Sequence, residues 1–202
     1  SVLLEIGMAV FVFRSAGLGD VALAGTQVML QIVFIASHVL DGFAFAAEAL
    51  VGRAMGAGDR AALRRATVLS AKWAGALAAL LALAFLFGGE ALIALMTTAE
   101  DVRVAAGALL PWLIIAPLAA MPAYLLDGVF IGATRTRDMR NAMIVSLGLY
   151  LAILFGLAPF FGAGGLWAAL LFFFSARGIT LALRYPALEE SAARGCAARP
   201  AV

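Results

Sequence analysis

Charge is scarce in this chain. Charged side chains are 13% of the 202 residues and hydrophobic ones 65%. Soluble domains average about 25% charged and about 45–50% apolar residues, so the composition is that of a polytopic membrane protein. The one cysteine, Cys196, lies in a polar C-terminal stretch, which sets aside disulfides and thiolate metal sites. A net charge of +2 is too small to suggest a nucleic acid partner. No GxSxG, HExxH or phosphate-binding loop is found, which counts against an enzyme such as an intramembrane protease and against an ATP-driven pump. Ion-coupled transport remains. There is also no initiator methionine and no signal peptide. The chain is apolar from Ser1, and its first segment, Val2–Ala16, falls short of the roughly 20 residues that span a bilayer. It reads as a fragment cut inside a helix.

Six apolar segments follow one another, so the expected fold class is all-α: a polytopic transmembrane bundle with six membrane helices. The second segment covers about 21–57 and the third about 67–96. The fourth, about 104–134, contains Pro111, Pro117 and Pro122, each of which removes a backbone donor and predicts a kinked or locally unwound helix. The fifth covers about 142–161, residues 162–165 read as a tight turn, and the sixth ends near Tyr185-Pro186. Residues 1–186 form the transmembrane lobe on this reading, and 187–202 a disordered, polar, cytoplasmic tail. Two basic stretches, GRAMGAGDRAALRRA and TRTRDMRN, read as loops. Five basic residues lie between Arg53 and Lys72, three between Arg135 and Arg140, and four between Arg177 and Arg199, against only Arg14 and Arg103 opposite. The positive-inside rule then places both loops and the C-terminus in the cytoplasm, with Arg135, Arg137 and Arg140 as topology anchors.

The remaining segments are organised around LDGFAFAAEALVG, Leu40 to Gly52. It sets Asp41 and Glu48 seven residues apart, almost two helical turns, so both carboxylates share one face. His38, Gln31 and Gln27 extend that face within an arc of roughly 100°. A carboxylate turned to lipid costs about 2.5–3.5 kcal/mol even on lenient scales, so the stripe should face protein or a wet cavity. Either the two acids pack helices, or they form a cation or proton site. Tyr124 and Asp127, three residues apart just after Pro122, could supply oxygen ligands to a small cation, or could simply satisfy the kink. Glu5 is a further intramembrane acid. Gly52, Gly56 and Gly58 are spaced for close helix contact. Leu40-Asp41-Gly42 recurs as Leu126-Asp127-Gly128, each on an outside-to-inside helix.

Two stretches, LDGFAFAAEALVGRAMGAGD and YLLDGVFIGATRTRDMRNAM, carry a resemblance to the multidrug and toxic compound extrusion (MATE) family, in its DinF-type branch. The resemblance implies one half of a twelve-helix antiporter, the C-terminal lobe of helices seven to twelve with the first shortened. Such a protein exports cationic or amphipathic compounds through alternating access, driven by protons or sodium, and needs no cofactor. The implied partners are the missing N-terminal six-helix lobe, the lipid bilayer and a small cationic or amphipathic substrate, and the implied location is a bacterial inner membrane. By resemblance, Glu5 sits where sodium-coupled relatives carry an acid in helix seven. Tyr124 occupies the register of their acid in helix ten, with Asp127 one turn on, and Asp41 and Glu48 match acids of the DinF-type pattern. A lipid-linked substrate flippase and a non-transporting scaffold subunit are the alternatives.

Overall fold

The computed structural model describes residues 2–156 and 158–197. Its elements are helices: α1 (Val2–Ala16), α2 (Asp20–Ala57), α3 (Arg60–Met96), α4 (Glu100–Gly107), α5 (Leu110–Gly132), α6 (Thr136–Gly156) and α7 (Ala158–Ala197). Among the described residues, five helices are long and apolar enough to cross a membrane: α2, α3, α5, α6 and the Phe161–Ala193 part of α7. The 15 residues of α1 reach about 22 Å, less than a hydrocarbon core of about 30 Å.

Both basic loops are shorter than the sequence suggests, because all their arginines except Arg135 are taken into helix ends. Gly58 closes α2 in the left-handed conformation (φ 69°), and the next residue, Asp59, caps α3 by accepting from the Ala62 N–H at 2.8 Å. Two residues therefore do the work expected of a fifteen-residue loop. Between α5 and α6 the chain turns through Thr134, a non-glycine residue at φ 56°.

The proline-rich fourth segment is two helices. The chain breaks at Ala108-Leu109, so Pro111 falls in the first turn of α5, where its missing N–H would have had no partner. Pro117 and Pro122 stay inside α5. At the expected turn near residue 162, one residue breaks the helix: Gly162 has φ 57° and ψ −140° inside α7. The disordered tail is corrected for residues 187–197. There α7 continues past Pro186, because Leu188 and Ala192 are buried and Glu189 reaches Arg60 at 3.1 Å. Residues 198–202 lie outside the described residues.

Contacts fix the helix directions. Ser37 faces Tyr124, while Ala44 and Glu48 meet Gly128 and Gly132, so the numbers rise together and α2 and α5 run parallel. Gly164 beside Trp112, Phe174 beside Tyr124 and Arg177 on Asp127 make α7 parallel to α5 as well. By contrast α3 is antiparallel to α5, with Gly75 at Met121 and Gly89 at Leu110, and α6 to α7, with Met143 at Arg177 and Tyr150 at Phe173. The close helix contact belongs to Gly128 and Gly132 of α5. A Cβ at either would strike the α2 backbone, at Ala44 or Glu48 respectively. Of the glycines expected in that role, Gly52 has only ordinary contact with Gly132, Gly56 meets nothing and Gly58 is the cap.

Apolar packing falls into two clusters. One gathers Phe11, Tyr150, Trp167 and Phe173, with Phe11 edge-on to Trp167 at 5.8 Å; the other gathers Val51, Leu63, Phe130, Leu181 and Leu188. Phe87, Leu95 and Leu183 are more than 70% exposed, as a lipid-facing surface permits.

Candidate functional site

Three parallel helices leave an opening on one side, and four of the residues singled out from the sequence meet there. A cleft of about 320 Å³ is walled by Asp41, Phe45 and Glu48 of α2, Tyr124 and Asp127 of α5, and Phe174 and Arg177 of α7, with Leu4 and Met139 at its edges. Their meeting follows from register. Because α2 and α5 run parallel with Gly128 and Gly132 pressed to the α2 backbone, Asp41 and Asp127 come to the same level. The Leu-Asp-Gly echo thus marks two facing positions of one cleft.

Arg177 was not foreseen as a site residue. Counted among the cytoplasmic basic residues from sequence, it lies instead inside the bundle, 8% exposed. Its guanidinium reaches Asp127 Oδ2 at 2.8 Å, also donates to Asp127 Oδ1, and lies 3.3 Å from the Met143 sulfur of α6. The readable signal was its place in the apolar run from Leu166 to Leu183: a cation there requires a carboxylate partner. The pair also changes the expectation for Tyr124 and Asp127. The Asp127 carboxylate is held by the guanidinium, and the Tyr124 hydroxyl donates to Ser37 Oγ at 3.0 Å. A small-cation site built from those two groups would have to displace both partners.

Asp41 and Glu48 differ. Among the described residues neither has a hydrogen bond or an ion pair, and both are half-buried on the cleft wall. Once Asp127 and Arg177 cancel, these two acids set the charge of the opening. Its other walls are aromatic or aliphatic, with the Tyr124 and Phe174 rings 5.8 Å apart. An acidic, apolar-walled cleft suits an organic cation, which gains carboxylate attraction and contact with ring faces together.

The rest of the predicted set is dispersed. His38 is exposed, its Nδ1 2.6 Å from the Phe34 carbonyl oxygen one turn back. Gln27 and Gln31 are exposed further along the same face, so this part of the stripe looks out of the lobe and not into it. Glu5 is exposed on α1, where its neighbour Leu4 borders the cleft. Pro111 is exposed at the start of α5. Pro117 borders an apolar void of about 10 Å³, and Pro122 packs against Gly178 of α7. No three His, Cys, Asp or Glu side chains converge as a metal site among the described residues.

Fold and cleft together define a membrane-spanning helical lobe, open on one acidic side. The chain belongs to the MatE family, whose model matches residues 1–157. Across 182 residues it is 36% identical to DNA damage-inducible protein F of Escherichia coli (strain K12), which covers 90% of this chain and 39% of that protein. In fold it is similar to a crystal structure of MATE in the bent conformation, with a TM-score of 0.74 and 18% identity across 90% of this chain and 41% of that one. The chain therefore spans about two fifths of the length of the relatives it matches.

Proposed function

We propose that the chain is the C-terminal lobe of a secondary transporter that exports cationic or amphipathic compounds by antiport with protons or sodium. The observation that carries this reading is a pair of carboxylates, Asp41 and Glu48, that among the described residues have no hydrogen bond or ion pair and lie beside aromatic rings in a cleft of about 320 Å³, with the His38 imidazole as Asp41's electrostatic neighbour on α2. A proton or sodium ion and an organic cation would compete for the same negative charge, and competition at one site links two opposed fluxes. The facing surface would come from an N-terminal lobe of six helices, against which the exposed stripe of Gln27, Gln31 and His38 would close. Shielding Asp41 and Glu48 from lipid requires such a partner. On this reading both short loops and the C-terminus face the cytoplasm of a bacterial inner membrane, an orientation that the basic residues kept outside the bundle favour. A flippase for a pyrophosphate-linked lipid would want a cationic cavity. Here Arg177, the arginine in the cleft wall among the described residues, is bound to Asp127, which disfavours that alternative.

The test is drug binding to the two-lobe protein across about pH 5–9, comparing wild type with Asp41→Asn and Glu48→Gln. Weaker binding with a flattened pH profile, at normal membrane insertion, is the expected result. Unchanged pH profiles in both variants would return the acids to a packing role.

A further inference from the structure

A second concave region lies away from the cleft, along the first turns of α3. It measures about 570 Å³ and is lined by Ala61, Arg64, Arg65, Val68, Leu69 and Lys72. These positions recur at intervals of three and four residues, so they form one helix face. Arg64 leans toward Glu189 at 4.0 Å, whereas among the described residues Arg65 and Lys72 have no acidic partner. About 10 Å of helix separates the two cations, and Leu69 occupies the interval between them. Charge stops just beyond Lys72: from Trp73 to Gly89 no residue is charged. Trp73 is 62% exposed at this boundary, the depth at which tryptophan is favoured between headgroups and acyl chains. The face then continues without interruption. At 100° per residue, Arg65, Leu69, Lys72, Ala76, Leu80, Leu83 and Phe87 fall within an arc of roughly 80°. Ala76, Leu80, Leu83 and Phe87 are all exposed, with alanine leaving the surface shallow next to the cations.

We propose that this face is a binding site for one anionic phospholipid. Its phosphodiester lies between the Arg65 guanidinium and the Lys72 ammonium, and its acyl chains lie along Ala76, Leu80, Leu83 and Phe87. Charge complementarity selects an anion, and the apolar stripe that begins where the cations end selects one with a hydrocarbon tail. An acidic peptide would satisfy Arg65 and Lys72 but leave the stripe uncovered. Two basic residues near a membrane surface contribute about 1 kcal/mol each, so losing both should weaken retention roughly thirtyfold.

The experiment is native mass spectrometry of the full chain released from nanodiscs holding equal amounts of dioleoyl phosphatidylglycerol and dioleoyl phosphatidylcholine. Wild type should retain one phosphatidylglycerol in preference. Arg65→Gln with Lys72→Gln should lose that preference, and Arg65→Lys with Lys72→Arg should keep it. Arg137→Gln, which removes an exposed cation elsewhere, should leave it unchanged. Equal retention of both lipids by wild type overturns the proposal, as does an equal loss in Arg137→Gln, which would mean bulk charge and no defined site. Disappearance of the preference on co-expression with an upstream lobe would show that protein covers the face, and overturns it too.

Discussion

The Arg177 guanidinium on α7 and the Asp127 carboxylate on α5 meet at 2.8 Å inside the bundle, with both side chains less than 20% exposed. Each is the other's compensation, so the pair is worth more intact than either member alone. Breaking such a pair from one side leaves an uncompensated buried charge, which costs about 3–5 kcal/mol, whereas removing both costs much less. Arg177→Gln should therefore lower the thermal unfolding temperature in detergent sharply, and adding Asp127→Asn should restore much of it. Additive losses in the double variant would disprove the coupling.

Gly128 and Gly132 should tolerate no side chain. Alanine at either position drives a Cβ into the α2 backbone, and overpacking of this kind costs about 1–3 kcal/mol. Gly56→Ala meets nothing and gains helix propensity, so it should be neutral or slightly stabilising. Chemical denaturation of the three variants checks the ordering.

The contrast between those glycines shows what the sequence could and could not convey. The helical nature of the segments, the ends of α2 and the shared face of Asp41 and Glu48 are local properties set by periodicity, and they were legible; the break between α4 and α5 and the capping role of Gly58 were not. Which glycine touches which helix depends on the relative rotation of two helices, and that rotation appears only once both are packed. Gly128-xxx-Gly132 carries the small-residue spacing openly, yet Gly52-xxx-Gly56 carries it equally well. Arg177 was missed for a related reason. Counting it toward topology treated it as a loop residue, although its apolar neighbours called for a buried partner. The end of α7 was misread because Pro186 and the alanine-arginine composition suggest a stop. The burial of Leu188 and Ala192 against α2, α3 and α5 is a tertiary effect.

Leu188→Ala tests that extension. Leu188 is almost fully buried, so the truncation should cost about 2–5 kcal/mol. Ala187→Ser, on the exposed side two residues before Glu189, should change little. Limited proteolysis should release the end of α7 early in the first variant and not in the second.

Ring contact in the cleft has its own signature. Phe174→Ala should weaken binding of an aromatic cation several-fold, consistent with about 0.5–2 kcal/mol for a cation over a ring. Its effect on a neutral amphiphile of similar size should be smaller. Titration calorimetry on the two-lobe protein with both probes separates the cases, and equal losses would mean that Phe174 contributes area alone.

Orientation can be read from single cysteines introduced after Cys196 is replaced. Ala99, exposed between α3 and α4, should react with an impermeant maleimide added to intact cells, and Ala57, exposed at the end of α2, should not. Labelling of the 57 position under those conditions would invert the assigned topology.

The contact of Gly128 and Gly132 with α2 has a mechanical consequence. With backbone set on backbone at two successive turns, α2 and α5 cannot slide along each other without collision, so they have few relative degrees of freedom and behave as one spar. Asp41, Glu48, Tyr124 and Asp127 are all mounted on that spar, and their mutual distances should stay nearly constant while the rest of the lobe flexes. Bending is left to the places where the helical backbone is already broken, Ala108-Leu109 at the head of α5 and Gly162 within α7, and to the turns of α5 before Pro117 and Pro122, which lack a backbone donor. Arg177, carried beyond the Gly162 break and clamped to Asp127, would transmit a tilt of α7 directly to the wall of the cleft.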